Sequence, residues 1–425
     1  MKIAMIHTPF SARAGGERQI LRLAIELGKL GHEVEIFTNA INEETYPEYF
    51  SKVKITLVPH PLTGKLPRGA TPQIASPRIT QKLQAQSQKT DYGSGLRKWM
   101  REVVGRQFYT SEVPGMLELG RRIPKGFDII NNHNFPTEWA AFLAKKRLKA
   151  PVVWMCNEPP YWFFSEEEKK GLRKINWPLF EILDRVTVDY IDEIMVLSHV
   201  SEEYIRKAYN KPSRIVRTGV DAEFFHKAVG KSFREKYDLE DAFVMLFVGR
   251  SVYAKRADLI RATQILARKH DNIRLILDTV REKEVLTSLS ERLGVKDKVL
   301  FRQSASNFEL AEVFAACNVF VYPSSASPWG LVVTEAMAAS KPVIISRQVG
   351  TSEIIQNGVN GIVIDRANPE EIAQKVEELI NDPTLRKKIG ANAYEYVRKN
   401  LSWEKYAKNV ENVFQDTLLR SKACH

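Results

Sequence analysis

The sequence is poor in cysteine and contains no long apolar run. Its 425 residues include three cysteines, Cys156, Cys317 and Cys424, an odd number without the spacing of a metal site. No apolar segment approaches the length that crosses a bilayer, and the N-terminal apolar run is too short for a signal peptide. These absences argue against a disulfide-stabilised secreted domain and favour a cytoplasmic protein with reduced thiols.

Acidic residues are outnumbered by basic ones, and the imbalance is concentrated in one region. The chain has 63 Lys and Arg against 51 Asp and Glu, a formal net charge of +12. Residues 61–125 hold twelve Lys or Arg and four Asp or Glu, a local excess of +8 (12 − 4). A basic surface favours anionic partners such as nucleic acid, acidic lipid or phosphorylated substrates. No nucleic-acid-binding motif accompanies this charge, so we expect no nucleic-acid partner.

Short apolar runs alternate with helical patterns through the first half of the chain. The segments KIAMI, EVEIF, VKITLV, FDIIN, PVVWMC and DEIMVLS have the composition of buried strands. Between the first two, Ile20, Leu23, Ala24 and Leu27 recur on one helical face, and Gly31 ends the helix. This alternation predicts a parallel sheet covered by helices on both faces.

The same alternation starts again at FVMLFVGR, residues 243–250. The prediction is an α/β protein with two tandem Rossmann-like, doubly wound domains. We expect a first domain over residues 1–215, a second over 216–400, and a helix over 401–425 that crosses back to the first. Because open parallel sheets bind ligands beyond the carboxyl ends of their strands, the two domains are expected to face a cleft that holds the site.

One carboxylate stands in a segment that otherwise has the composition of a core. In SPWGLVVTEAMAASKPVI, residues 331–339 are apolar or small except for Thr334 and Glu335. The preceding strand and loop place Glu335 inside a helix whose first amides, near Gly330 and Leu331, suit an anion. A diphosphate at those amides would bring an attached ribose to Glu335. The alternative is a buried ion pair between Glu335 and a lysine or arginine of the core.

Two cations follow the first strand of the second domain. The segment FVGRSVYAKRAD puts Arg250 directly after the strand and Lys255 five residues later. Arginine offers a bidentate fork and lysine a point charge, so the two would suit a phosphate clamp. The alternative is that both are solvated surface cations.

These motifs resemble glycosyltransferase family 4, whose members are retaining, nucleotide-sugar-dependent enzymes of the GT-B architecture. The resemblance is strongest over residues 247–364 and weakest over 61–125; it includes GGERQILRLAIELGKLGHEVEIFT and RTGVDAEFF. It implies transfer of a hexose-type sugar from a UDP- or GDP-sugar to a glycan, lipid-linked or small-molecule acceptor. It implies no cofactor beyond the donor substrate, and attack on the same face of the sugar as the leaving group.

The resemblance also assigns residues. Arg250 and Lys255 would hold the diphosphate, Glu335 the ribose hydroxyls, and His133 would lie in the cleft near the transferred sugar; these four are the expected catalytic positions. The other expected donor-binding positions are Gly15, Gly16, Ser327, Gly330, Leu331 and Val332. For His133, a purely structural hydrogen-bonding role is the alternative.

The chain departs from the family pattern at two positions. Ser327 stands where the family has the first of two glutamates, and Arg256 stands where a glycine is common. The missing glutamate would read a hydroxyl of the donor sugar, so Ser327 leaves the identity of that sugar open. Ser327 also leaves two alternatives to a glycosyltransferase open. They are a nucleotide-sugar epimerase or hydrolase of the same fold, and a non-catalytic nucleotide-sugar-binding protein.

Transfer is expected to need no metal ion. Cations and helix amides aimed at the leaving diphosphate would stabilise the charge that develops there. The chain contains no Asp-x-Asp motif, and its eight histidines show no metal-ligand spacing.

The first domain is expected to bind a carbohydrate or lipid-linked acceptor. Residues 96–108 form a basic amphipathic pattern that suits either an anionic membrane surface or an ordinary surface helix. The aromatic segment EPPYWFF, residues 158–164, suits acceptor sugars, lipid or core packing. We therefore expect a cytoplasmic protein that makes peripheral contact with the inner face of the membrane through residues 61–125.

Overall fold

A computed structural model describes most of the chain: residues 1–11, 14–61, 109–157, 182–249, 253–278, 283–304, 306–324, 327–365 and 368–423. The chain divides into two compact units. The first holds Met1–Val196, Ser201–Val216 and Tyr406–His425, and the second holds Leu197–Val200 and Arg217–Lys405. None of the helices within the described ranges combines the length and the hydropathy of a membrane-spanning segment.

The first unit is built on a seven-stranded sheet. Its strands are β1 (Lys2–Ile6), β2 (Glu33–Thr38), β3 (Lys54–Leu57), β4 (Ile129–His133), β5 (Val152–Met155), β6 (Glu193–Val196) and β7 (Arg214–Ile215). Its helices are α1 (Gly15–Lys29), α2 (Pro47–Phe50), α3 (Tyr109–Arg122), α4 (Thr137–Leu148) and α5 (His199–Tyr209), the first two residues of which belong to the second unit. Residues 182–189 are also helical.

The second unit is built on a six-stranded sheet. Its strands are β8 (Phe243–Val248), β9 (Ile273–Asp278), β10 (Val299–Arg302), β11 (Val319–Tyr322), β12 (Val343–Ser346) and β13 (Ile362–Ile364). Its helices are α6 (Ala222–His226), α7 (Lys231–Lys236), α8 (Tyr253–Ala267), α9 (Lys283–Arg292), α10 (Asn307–Ala316), α11 (Leu331–Ala338), α12 (Pro369–Asn381) and α13 (Pro383–Asn400). Two short 3₁₀ helices cover Lys296–Lys298 and Gly350–Ile354. The last helix, α14, runs from Trp403 to Ala423.

Both sheets have the Rossmann strand order. The first sheet runs β3-β2-β1-β4-β5-β6-β7 and the second β10-β9-β8-β11-β12-β13, and every named strand pair is parallel. In each sheet the order reverses beside the first strand, between β1 and β4 and between β8 and β11. The predicted fold class, two Rossmann-like α/β domains in tandem, is confirmed.

Helix α1 shows how apolar spacing determines local structure. The four residues expected on its core face, Ile20, Leu23, Ala24 and Leu27, are all buried. Gly31 follows the helix with a φ of +86°, a left-handed conformation that glycine adopts without steric cost. The backbone therefore turns directly into β2.

The last helix completes the first unit. From Tyr406 onward it packs with that unit, and Gln19 Nε2 of α1 donates to the buried Tyr406 hydroxyl at 2.9 Å. His32 Nε2 lies 2.8 Å from Glu411 Oε1, and Arg214 Nη1 lies 2.6 Å from Asp416 Oδ2. The first unit thus combines the N-terminal sequence with the C-terminal helix of the chain.

Two buried carboxyl groups lie close together inside the first unit. Glu138, in the first turn of α4, and Asp184 are both fully buried. The Tyr209 hydroxyl donates to Asp184 Oδ2 at 2.8 Å. Burial and the neighbouring Asp184 raise the pKa of Glu138 well above its usual value of 4.5. Glu138 is therefore a protonated carboxylic acid in the folded unit well beyond the pH at which an exposed glutamate ionises.

Glu138 should make the stability of the first unit fall as the pH rises. The contribution of the protonated acid is full below pH 4.5 and is lost as the pH climbs through the raised pKa, because the unfolded chain ionises first. A Glu138→Gln variant, which cannot ionise, should gain on the order of 2 kcal/mol at pH 8 relative to wild type and little at pH 5. Thermal melts at both pH values measure this difference.

The surface residue Glu203, which pairs with Lys207 on α5, supplies the control. A Glu203→Gln variant should show no gain at pH 8. If the gain of Glu138→Gln were the same at pH 5 and pH 8, Glu138 would not be a protonated acid in the folded protein.

Candidate functional site

Most of the predicted donor-binding residues that the structure describes lie where the strand order of the second sheet reverses. Strand β11 pairs with β8 through Val319–Met245 and Phe320–Leu246, so the two strands end side by side at the same edge. Helix α8 begins after β8, and helix α11 begins after β11. In open parallel sheets this reversal point is where ligands bind, because the two following helices diverge to opposite faces.

Two glycines and one aromatic ring form the centre of this edge. A Cβ atom on Gly249 would lie 3.8 Å from the ring of Tyr322, and one on Gly330 would lie 3.3 Å from it. Both glycines have positive φ, +132° and +89°. The Tyr322 ring stacks on Phe247 with ring centroids 5.8 Å apart. The left-handed backbone favours glycine at both sites, and only at Gly330 would an added Cβ also lie closer to the tyrosine ring than an ordinary contact.

Helix α11 combines an open amino terminus with a buried acid. Gly330 is its N-cap residue, and Leu331 and Val332 of its first turn are partly exposed. The Glu335 side chain belongs to the next turn and is 1% exposed. The first amides of a helix have no partners within the helix and attract anions. The helix therefore offers hydrogen-bond donors at its start and carboxylate acceptors one turn further on.

The loop that leads into α11 is fixed by the segment that follows β12. Ser327 O accepts a hydrogen bond from Gly350 N at 2.9 Å. Trp329 O accepts one from the Thr351 hydroxyl at 2.8 Å. Ser327, which replaces the first motif glutamate, thus contributes its backbone to a fixed loop.

Of the two residues predicted to clamp a phosphate, Arg250 and Lys255, the structure describes only Lys255. Lys255 lies in the first turn of α8, is partly buried, and has its Nζ 3.8 Å from Asp258 Oδ2. Arg250 lies outside the described residues. Arg256, where the family commonly has glycine, is 1% exposed.

The reversal point of the first sheet carries two buried histidines. Ile6 of β1 pairs with Asn132 of β4, so the next residues, His7 and His133, are neighbours at the strand ends. Both side chains are buried. His133 Nε2 lies 2.7 Å from Asn131 Oδ1. Among the described residues, His133 Nδ1 has no hydrogen-bond partner.

Asn134 connects three elements at this point. It has a φ of +63°, its Nδ2 lies 3.2 Å from His7 Nε2, and its Oδ1 accepts from Asn157 Nδ2 at 2.7 Å. A Cβ atom on Gly16 would lie 2.7 Å from Asn134 Nδ2. Gly16 therefore makes room for the side chain of Asn134 at the start of α1. Gly15 is the first residue of the same helix.

Both histidines are uncharged at neutral pH. Burial, opposed by the Thr8 carbonyl, lowers the pKa of His7 to about 4. Burial and then the nearby His7 lower the pKa of His133 well below its usual value. Because unfolded histidines titrate near 6.5, protonation of these rings costs folding free energy as the pH falls below that value.

The expected site residues therefore form two groups, each inside one unit. The first comprises Gly15, Gly16 and His133, and the second comprises Lys255, Ser327, Gly330, Leu331, Val332 and Glu335. Residues 62–108 of the basic region 61–125 lie outside the described residues, as does the aromatic segment 158–164. Within the part of the chain that is described, no group of three His, Cys, Asp or Glu side chains could hold a metal ion.

Several residues at these two sheet edges were not predicted from the sequence as site residues. They are His7, Asn134, Asn157, Gly249 and Tyr322. His7 and Asn157 each directly follow an apolar strand run, in KIAMIH and PVVWMCN. A polar residue at the carboxyl end of a parallel strand is the signal that would have found both. The closeness of Gly249, from a different strand end, to the Tyr322 ring has no sequence signal.

Two family models match the chain and together cover most of it. The model described as glycosyl transferase 4-like domain matches residues 14–220. The model described as glycosyl transferases group 1 matches residues 230–396. The two matches fall largely on the first and the second unit, respectively.

Comparison with individual proteins also finds glycosyltransferases. An uncharacterised glycosyltransferase of Methanocaldococcus jannaschii is 31% identical over 302 residues, which cover 68% of this chain and 75% of that one. A D-inositol 3-phosphate glycosyltransferase of Thermobispora bispora is 26% identical over 97% of this chain and 92% of its own. The solved structure of Anabaena HepE in complex with UDP and glucose superposes with a TM-score of 0.70 and 17% identity, covering 98% of this chain and 99% of that one.

Gly330 should be sensitive to a single methyl group. In Gly330→Ala, the left-handed backbone should cost roughly 1–2 kcal/mol, and the contact of the new Cβ with Tyr322 should add to this. Gly294→Ala is the matched control, because Gly294 also has positive φ, +67°, with open space around it. Thermal melts should show a larger loss for Gly330→Ala. Equal losses would contradict the close contact with the Tyr322 ring.

Proposed function

The chain belongs to the GT-B glycosyltransferases of the family-4-like type, and from this premise we propose its reaction in more detail. It transfers a hexose-type sugar from a UDP- or GDP-sugar to a glycan, lipid-linked or small-molecule acceptor. The transfer retains the anomeric configuration and needs no metal ion.

The observation that supports this proposal is the arrangement of polar groups along α11 at the reversal point of the second sheet. Its start, at Gly330, offers backbone amides where a diphosphate is expected, and Glu335 offers carboxylate oxygens one turn further on. A nucleoside diphosphate presents the matching groups in that order, because its phosphates accept hydrogen bonds and its ribose hydroxyls donate them. We assign the diphosphate to the helix start and the ribose to Glu335.

The proposed chemistry is electrostatic. When the bond from sugar to diphosphate breaks, negative charge grows on the leaving phosphate oxygen. The amides of Gly330, Leu331 and Val332 and the ammonium of Lys255 would stabilise that charge, and Arg250 is assigned to the same role. Dipoles and charges that are already oriented need no reorganisation during the reaction. We therefore assign no nucleophile, and the leaving phosphate oxygen takes the proton of the acceptor hydroxyl.

The donor and acceptor classes are proposed from known relatives. Anabaena HepE has been solved with UDP and with UDP-glucose, which makes UDP-glucose the first donor to test. Several relatives are D-inositol 3-phosphate glycosyltransferases, which adds inositol phosphates to the small-molecule acceptors. We assign the acceptor and the contact of His133 with the transferred sugar to the first unit. Peripheral contact of residues 61–125 with an anionic membrane stays a prediction.

The decisive experiment is a donor assay with and without acceptors. Purified protein is incubated with UDP-glucose and with GDP-sugars, with a panel of glycans, lipid-linked sugars and inositol phosphates, in buffer with and without EDTA. We expect donor consumption that depends on one acceptor class and is unchanged by EDTA, because the leaving charge is stabilised by amides and cations. NMR of the product should show the same anomeric configuration as the donor.

Each other outcome identifies a different function. Conversion of the donor to another nucleotide sugar without an acceptor would identify an epimerase, and release of free sugar would identify a hydrolase. Binding without turnover would identify a non-catalytic protein, the alternative raised by Ser327. Loss of turnover in EDTA that Mg²⁺ restores would contradict the metal-independent step.

Removing the carboxylate of Glu335 should weaken donor binding. Glu335→Ala should raise the Kd for UDP-glucose roughly 10- to 100-fold, because hydrogen bonds to a charged group contribute about 1.5–3 kcal/mol. Glu335→Gln should lose less, since its amide oxygen still accepts a hydrogen bond. Isothermal titration calorimetry measures both values.

An exposed glutamate provides the comparison for this measurement. Glu395 pairs with Arg398 on the surface of α13, so Glu395→Ala should bind UDP-glucose like wild type. An unchanged Kd for a folded Glu335→Ala variant would contradict the ribose assignment.

A further inference from the structure

Three polar side chains form a hydrogen-bonded chain at the reversal point of the first sheet. They are His7 after β1, Asn134 after β4 and Asn157 after β5. His7 Nε2 lies 3.2 Å from Asn134 Nδ2, and Asn157 Nδ2 donates to Asn134 Oδ1 at 2.7 Å. All three come from strands at the centre of the sheet. This chain has no counterpart among the residues that the sequence pointed to.

A backbone carbonyl fixes the direction of the chain. His7 Nδ1 lies 2.7 Å from Thr8 O, and a carbonyl oxygen only accepts hydrogen bonds. His7 Nδ1 therefore carries the proton, and in the uncharged ring Nε2 must be an acceptor. Asn134 then turns its NH₂ group toward His7 and its oxygen toward Asn157. Asn157 must in turn donate its NH₂ group to Asn134.

The chain ends in an acceptor that no described residue satisfies. Asn157 is 8% exposed, and within the described ranges its Oδ1 has no hydrogen-bond partner. Leaving a buried amide oxygen without a donor is costly. A bound molecule with a hydroxyl group could supply that donor, whereas a phosphate or carboxylate oxygen could not.

We propose that His7, Asn134 and Asn157 form a positioning chain that presents the Asn157 oxygen to a substrate hydroxyl group while His7 is uncharged. This rests on the proposed function, in which the first unit receives the hydroxyl-bearing acceptor. His7 and Asn134 act through Asn157 and need not touch the substrate. The three hydrogen-bonded side chains thus select a neutral hydroxyl donor at this position.

Protonation of His7 reverses the donor and acceptor direction of the hydrogen bonds that link His7, Asn134 and Asn157. The charged ring would carry a hydrogen on Nε2, facing the NH₂ group of Asn134 at 3.2 Å. The conflict is removed if both amides turn over, which leaves the NH₂ group of Asn157 at the end in place of its oxygen. The ionisable neighbour that opposes this charge is His133 of β4. The ring of Phe10, stacked on His7 with centroids 4.6 Å apart, covers one face.

The first test needs no enzyme activity. In ¹⁵N-labelled full-length protein, the ring nitrogens of His7 should show a proton on Nδ1 and none on Nε2 at pH 7. Signals are assigned by their loss in His7→Gln. In Asn134→Asp, the carboxylate faces Nε2 and favours a charged ring, so the titration midpoint of His7 should rise by about 1–3 pH units. Asn392→Asp, at a surface asparagine of the second unit, should leave it unchanged.

The second test separates positioning from structural support. With UDP-glucose and the acceptor found in the donor assay, His7→Leu should lose about tenfold in kcat/KM, because the chain loses the acceptor that orients it. His7→Gln keeps an oxygen that accepts from Asn134, so its activity should be restored toward wild type and should no longer decline in acid. Thermal melts establish that both variants are folded.

The outcomes that would overturn the proposal are distinct from those that would overturn the proposed function. A proton on Nε2 of His7 at pH 7, or an unshifted titration in folded Asn134→Asp, would refute the chain whether or not the protein is active. Equal activity of His7→Leu and wild type would refute the positioning role. Absence of any transfer would instead count against the proposed function, and the NMR result would still decide the direction of the chain.

Discussion

The parallel arrangement of the strands is the constraint on which the rest of the structure depends. When all strands of a sheet run the same way, every carboxyl end lies at one edge, and every following helix starts there. The reversal of strand order beside β1 and β8 adds a point in each unit where two helices diverge. Both candidate groups of residues lie at these two points, where the carboxyl ends of neighbouring strands bring their side chains together.

The two edges have different chemistry because different polar groups are buried at them. In the second unit, backbone amides, Lys255 and the acid Glu335 provide both signs of charge, which suits the charged donor that we propose. In the first unit, His7, His133 and Asn134 are neutral at physiological pH. Burial is the cause, since a charged imidazole would lose its hydration without gaining an anionic partner. We therefore propose that the second unit recognises charged groups and the first unit recognises hydroxyl groups.

The sequence predicted those features that depend on near neighbours in the chain. The apolar spacing of α1, the turn at Gly31 and the lone acid Glu335 inside an apolar helix can all be read within about one turn or strand. Contacts between distant segments could not be predicted in this way. The packing of Gly249 and Gly330 around Tyr322, and of Gly16 against Asn134, follows from the strand order. A single sequence carries no record of which strand ends become neighbours.

The last helix has a consequence for biosynthesis. Its residues from Tyr406 onward complete the first unit, whose other parts end at Val216. During translation, the ribosome must therefore make the whole of the second unit before Gln19 and His32 can meet Tyr406 and Glu411. Domains usually fold as units from the N-terminus as they are synthesised. Here the unit that is begun first is finished last, after the second unit has been made.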